Sequence, residues 1–138
     1  MAELLIPVDV ELTVKRELDA SLVGTRFAGA KVGTKIPQEP KPPMFVRVLA
    51  TGGASRDLVT DEPTFVVEGY AVDETTAHDL TAYAVAVLER AARVGTLGGE
   101  TCHTVRVASL PQNYPHPTVN THFRFTVTVS AALRRTTV

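Results

Sequence analysis

Apolar residues recur at every fourth position between Asp9 and Val23. Val10, Val14, Leu18 and Leu22 form one stripe, which predicts an amphipathic helix. Glu11 and Lys15 stand four residues apart on its outer side, the order that favours a helical ion pair, and Gly24 suits its end. A stronger helical pattern covers residues 74–94, where Ala77, Leu80, Ala84, Val87, Leu88 and Ala91 make a broad apolar face. Asp73 is placed to cap this second helix and Glu74 to favour its first turn. Gly95, Gly98 and Gly99 close it. Alanine dominates the apolar face, so the helix is expected to lie close on its sheet.

The remaining segments alternate with period two or run apolar. MFVRVLAT (Met44 to Thr51) and TFVVEGYAV (Thr64 to Val72) read as strands joined in a hairpin, with residues 52–61 as a long loop ended by Pro63. Residues 101–110 read as another strand with Val105 and Val107 on one face, followed by a loop from Pro111 to Pro117 that carries Tyr114 and His116. In the last strand Val119, Thr121, Phe123, Phe125, Val127, Val129 and Ala131 point one way. Asn120, His122, Arg124, Thr126, Thr128 and Ser130 point the other, a wet or partner-facing side. Residues 25–43 hold Gly29, Gly33, Pro37, Pro40, Pro42 and Pro43. A short strand is expected near Val32, Thr34 and Ile36, and residues 37–43 must be a loop because proline cannot donate to a ladder. Together these elements predict an α+β fold: a single domain over residues 1–138, a mainly antiparallel sheet covered on one face by two helices, and a flexible Gly/Pro-rich segment at about 25–43.

Composition agrees with one compact domain: 138 residues, of which 44% are hydrophobic and 21% charged. With 14 basic and 15 acidic residues, the net charge of −1 leaves no electrostatic footprint for nucleic acid. Arg134 and Arg135 are expected to be a solvated pair. The single cysteine, Cys102, excludes an internal disulfide and reads as a small core residue, which fits a reducing compartment. The apolar start, Met1 to Pro7, lacks the basic region of a signal peptide, and no apolar run is long enough to span a bilayer. A soluble protein made in the cytoplasm is expected.

Catalytic signatures are missing. Gly52-Gly53 lies between strands and lacks phosphate-loop spacing. Ser21, Ser55, Ser109 and Ser130 have no histidine at a familiar distance in sequence. His116 and His122 have the spacing of half a zinc site, but no second ligand pair completes it, so surface or interface roles are expected for His103, His116 and His122. Asp57, Asp61 and Glu62 lack the alternating oxygens and glycine turn of a calcium loop. No catalytic residue, cofactor or metal is expected.

Several stretches resemble the tail terminator proteins of siphophages, of the actinobacterial type. They are Thr34-Lys35-Ile36-Pro37; then, after a proline-rich gap, Phe45-Val46-Arg47-Val48 followed by Gly52-Gly53; and Val59-Thr60-Asp61-Glu62-Pro63 leading into Phe65-Val66-Val67-Glu68-Gly69-Tyr70-Ala71. An alanine-rich helix after Asp73, the loop Leu110-Pro111-Gln112-Asn113-Tyr114-Pro115 and the strand Phe123-Arg124-Phe125-Thr126-Val127-Thr128-Val129 continue the likeness. The segment between Gly24 and Pro43 is longer than usual for that family. The resemblance implies a virion protein of the tail or neck that forms a ring, generally hexameric, on the end of the tail tube. Such a ring stops tube polymerisation and offers a surface for head joining. Its implied partners are its own copies, the major tail tube protein and a head-closure or neck protein, with no cofactor, membrane or sequence-specific nucleic-acid contact. A head-closure or tail-completion protein of the same particle is the alternative, followed by an unrelated ligand-binding domain or enzyme. Contact residues are expected at the hairpin tip (Arg56, Asp57, Asp61), in the proline segment (Pro40, Lys41) and on the outward side of the last strand (His122, Arg124).

Overall fold

The computed structural model describes residues 3–138, so residues 1 and 2 of the apolar start lie outside the described residues. The first helix, α1, spans Val10–Leu22. Asp9 caps it, with its side chain accepting from Leu12 N at 3.2 Å. The second, α2, spans Glu74–Val94 between the Asp73 cap and Gly95, whose φ of 97° is the left-handed value that favours glycine. Each predicted apolar stripe is buried, from Val10 to Leu22 on α1 and from Ala77 to Ala91 on α2.

Among the described residues, eight strands accompany the helices. The long ones are β3 (Met44–Ser55), β4 (Thr60–Ala71), β6 (Glu100–Asn113) and β7 (Phe123–Arg134). The short ones are β1 (Leu5–Ile6), β2 (Lys31–Gly33), β5 (Thr96–Leu97) and β8 (Thr136–Thr137). The main sheet has the order β2-β3-β4-β7-β6-β5, and β1 and β8 form a separate two-stranded ribbon. Every pairing is antiparallel except β2 with β3, which is parallel. Both helices pack on one face of the sheet, where α1 and α2 enclose Val46, Val48, Phe65, Val67, Val127 and Val129. The fold is α+β, as the periodicity predicts.

Four expected boundaries move. The hairpin loop is residues 56–59, not 52–61, because β3 continues through Gly52 and Gly53 to Ser55. A bulge between Ala50 and Gly52 absorbs one residue. Gly53 has a φ of 111°, and a Cβ there would lie 2.3 Å from Glu62 O, so close approach selects glycine at this strand position; Gly52, with open space around it, suits its φ of 103°. Strand β6 runs on to Asn113 and includes Pro111, which sits at an edge where its missing N–H is harmless. The last strand begins only at Phe123. Val119, Asn120, Thr121 and His122 belong to a loop, and Val119 packs on the face opposite to Phe125. The early strand covers Lys31–Gly33 and does not reach Thr34 or Ile36.

Both long edges of the sheet are irregular. Along β6 the register with β7 shifts between Cys102 and Thr104, between Val107 and Ser109, and between Ser109 and Gln112. On the other edge, the Ala50 N–H donates to the Glu11 carboxylate at 2.8 Å. In the middle of the sheet, pairing of β4 with β7 skips Glu62 and Pro63, where proline offers no donor, and resumes at Asp61 and Thr60.

Gly69 of β4 lies close under α2. A Cβ added there would meet Thr81 Oγ1 of α2 at 2.1 Å. Thr81 is fully buried and its hydroxyl donates to Ala77 O at 2.9 Å. The alanine-rich face and this glycine together set the helix-to-sheet spacing. Gly69→Ala is therefore expected to lower stability by about 1–3 kcal/mol through overpacking, read from the midpoint of urea unfolding. An unchanged midpoint would show that the layers can separate without cost.

Candidate functional site

Residues of β3, β4 and β7 that alternate away from the helices form the second face of the sheet. Its upper half is not bare. The loop of residues 114–122 and the proline segment fold over it, and Val119 and Ile36 cover a stacked Phe45–Tyr70 pair with ring centroids 4.4 Å apart. Beside this small apolar cluster lies a buried charged one. Arg47 and Glu68 are directly opposite each other on β3 and β4. Arg47 Nε donates to Glu68 Oε1 at 2.6 Å, Arg124 Nη1 donates to Glu68 Oε2 at 2.9 Å, and the Tyr70 hydroxyl donates to Oε1 at 3.0 Å. Glu68 is 4% exposed and Arg124 8%.

A carboxylate this far from water needs such partners. Two arginines on one carboxylate leave the cluster with a positive charge, and one of them, Arg124, is also held elsewhere. Arg124 Nε donates to Tyr114 O at 2.6 Å and Nη2 to Pro115 O at 3.4 Å, and its guanidinium lies 4.9 Å from the Tyr114 ring centroid. Arg124 is thus the clip that fastens the 114–122 loop to the sheet. Burial works against the Arg47 charge, but hydrogen bonding and attraction from Glu68 outweigh it and raise its pKa. Burial, then the Glu68 carboxylate, pushes the Tyr70 hydroxyl up to about 12.

Two histidines complete the fastening. His116 Nδ1 accepts from the backbone N–H groups of Thr118 and Val119, both at 3.1 Å, which requires that nitrogen to be unprotonated. Burial, then the charges of Arg124 and Arg47, hold the His116 pKa below its ordinary 6.5. His122 Nε2 donates to Pro42 O at 2.9 Å and so ties the loop to the proline segment.

The seven sequence-predicted contact residues divide into two groups. Arg56 and Asp57 lie in the β3–β4 turn, and Asp61 follows at the start of β4. Pro40, Lys41, His122 and Arg124 gather at the opposite end. Several are not free. Arg124 lies on the side of β7 away from the helices, as the alternation predicts, but it is buried there, so that side is not open for contact at this point. Asp61 is gripped by Arg135, whose Nε and Nη2 approach it at 2.9–3.1 Å. Arg135 is accordingly anchored, and only Arg134 of the expected solvated pair is exposed. Lys41 pairs with Glu39. Pro40, Arg56 and Asp57 remain accessible. Sequence reading missed Arg47, Glu68 and Tyr70, although a lone Arg in MFVRVLAT and a lone Glu in TFVVEGYAV are the mark of a cross-strand ion pair.

The fold is similar to that of a chain in the virion of the native gene transfer agent particle. The TM-score is 0.59 at 17% sequence identity, and the match covers 88% of this chain and 91% of that one. No family model matches the sequence, and no curated protein matches it.

Removing the clip should be costly. Arg124→Met leaves Glu68 with one cation and frees two backbone carbonyls, and a loss of about 3–5 kcal/mol is expected in chemical unfolding. A second test uses acidity. Because the folded His116 pKa lies below the unfolded one, the unfolded state binds more protons. This contribution is intact above 6.5, the ordinary value, and is lost progressively as pH falls below it. His116→Asn, which keeps an acceptor without a titration, should flatten the stability profile just below that pH; an unchanged profile would exclude the mechanism.

Proposed function

We propose that this chain is a structural protein of a phage-like particle, and that it acts as a tail terminator. In this reading copies form a ring, six by the family resemblance, on the end of the tail tube. The ring blocks further tube subunits and presents its other side to a head-closure protein. The observation that carries the reading is the similarity to a virion chain over almost the full length of both chains. A match that leaves no large unmatched domain on either side favours a shared role more than a shared substructure would. The colinear stretches from Thr34 to Val129 support the same reading.

The charged cluster supports it as well. Glu68 is the carboxylate a search for chemistry would choose first, yet both of its oxygens receive donors from its own chain. It is built to hold a loop, not to accept a proton from a substrate. The mechanism is then steric: a ring matching the tube's symmetry occupies the surface on which the next tube subunit would sit.

Purified tail tube protein polymerising in the presence of this chain gives the test. Tubes of limited length, bearing this protein at one end in negative-stain images, are expected. Tubes that elongate equally with and without it would exclude the terminator role.

A further inference from the structure

The main sheet has two ends, and each carries exposed apolar side chains. At one end, the β3–β4 turn displays Leu58 with 86% of its surface exposed. The turn is not a loose loop. Arg56 N and Asp57 N donate to Thr60 O at 3.0 and 3.2 Å. Asp57 Oδ1 accepts from Val59 N and Thr60 N at 2.9 and 2.8 Å. Arg135 N donates to Val59 O at 2.7 Å while its side chain holds Asp61. The turn therefore presents Leu58 in a fixed position at the end of the sheet. Beside it, Arg56 is a cation with spare donors, because its nearest carboxylate, Asp57, is 3.8 Å away.

At the other end, Phe123 is 43% exposed and Val72 57%. Two residues along the chain from them, Glu74 and Phe125 line a shallow cleft of about 340 Å³ together with Thr75 and His78. The floor is aromatic, with His78 edge-on to Phe125 at 5.3 Å between centroids. The rim is acidic: Asp73 caps α2, and Glu74 has only a 3.3 Å contact from Asn113.

We propose that copies of this chain join head to tail, with Leu58 and Arg56 of one copy seated against the Phe123–His78 shelf of the next and Arg56 facing Glu74. This proposal rests on the ring reading above and gives it a contact. Charge favours the shelf over the two larger concave surfaces. A groove of about 460 Å³ beside β2 is lined by Lys15, Lys31 and Lys35 and would repel Arg56. A cleft of about 430 Å³ under the hairpin includes Asp9 and Asp61, but these are committed to the α1 cap and to Arg135. The bulged β6 edge and the Glu11-capped β3 edge disfavour joining by strand addition. The two ends are separated by the length of β4, roughly 35 Å at about 3.3 Å per residue, so one chain cannot satisfy its own tip. A contact between unlike surfaces makes a closed ring if its rotation closes.

Cysteine cross-linking tests the contact. Leu58→Cys and Phe123→Cys chains, mixed under mild oxidation, should give a disulfide-linked dimer that neither variant gives alone. The native Cys102 is 2% exposed and does not compete. A dimer of Leu58→Cys chains alone would mean tip-to-tip contact and overturn the proposal, as would no dimer in the mixture. In wild-type background, Arg56→Glu or Glu74→Lys should weaken association by roughly two- to fivefold, and combining them should restore it; failure of the restoration also overturns the pairing. Glu74→Gln, milder for the start of α2, should weaken association in the same direction. The ring reading is judged separately by tube length. Cross-linking without tube arrest leaves the contact and removes the terminator role, and arrest without cross-linking does the reverse.

Discussion

A carboxylate at the centre of a sheet has few ways to exist, and Glu68 uses the one that also organises its surroundings. Its charge requires cations, and Arg47 on one side and Arg124 on the other supply them. Arg124 then needs acceptors for its remaining donors and finds them in the carbonyls of Tyr114 and Pro115. A loop with little regular structure is thereby brought onto the sheet. Once there, it buries Val119 over Phe45 and Tyr70 and lets His122 reach the proline segment. Burying an ion triad is weak as a source of net stability, because desolvation offsets the attraction. Here it selects one position for two segments that apolar packing alone would hold loosely.

The helical layer was legible because its physics is local. A four-residue repeat, a capping aspartate and a terminal glycine are contained within single segments, and α2 occupies the residues its pattern marks. The abundance of alanine in α2 also announced a close approach, although the partner, Gly69, could only be identified in three dimensions. The strand boundaries were less legible. Gly52-Gly53 has the composition of a loop, but a bulge and the approach of Pro63 place both glycines within the ladder. Alternation at Val119 to His122 suggested more strand than exists, because an alternating pattern does not say whether a neighbour is present to pair with.

The candidate contact surface shows the same division. Arg56 and Asp57 could be assigned to a projecting tip from sequence, since turns between strands are exposed. Arg124 and Asp61 could not be recognised as internal. Their partners lie 56 and 74 residues away in sequence, and nothing short of the fold brings them together. A polar residue on an alternating strand is as compatible with a buried ion pair as with a wet face.

The uneven edge of β6 has a consequence for how such a protein can be made in quantity. Three register shifts and Pro111 interrupt a strand that would otherwise offer a long template of backbone donors and acceptors. An incoming strand cannot match it in one continuous alignment, so runaway fibre growth in concentrated solution is frustrated at the outset. Recognition is left to side chains, whose shape and charge can specify one neighbour and then no more. The irregularity of this edge therefore protects the chain from seeding an unintended assembly of its own.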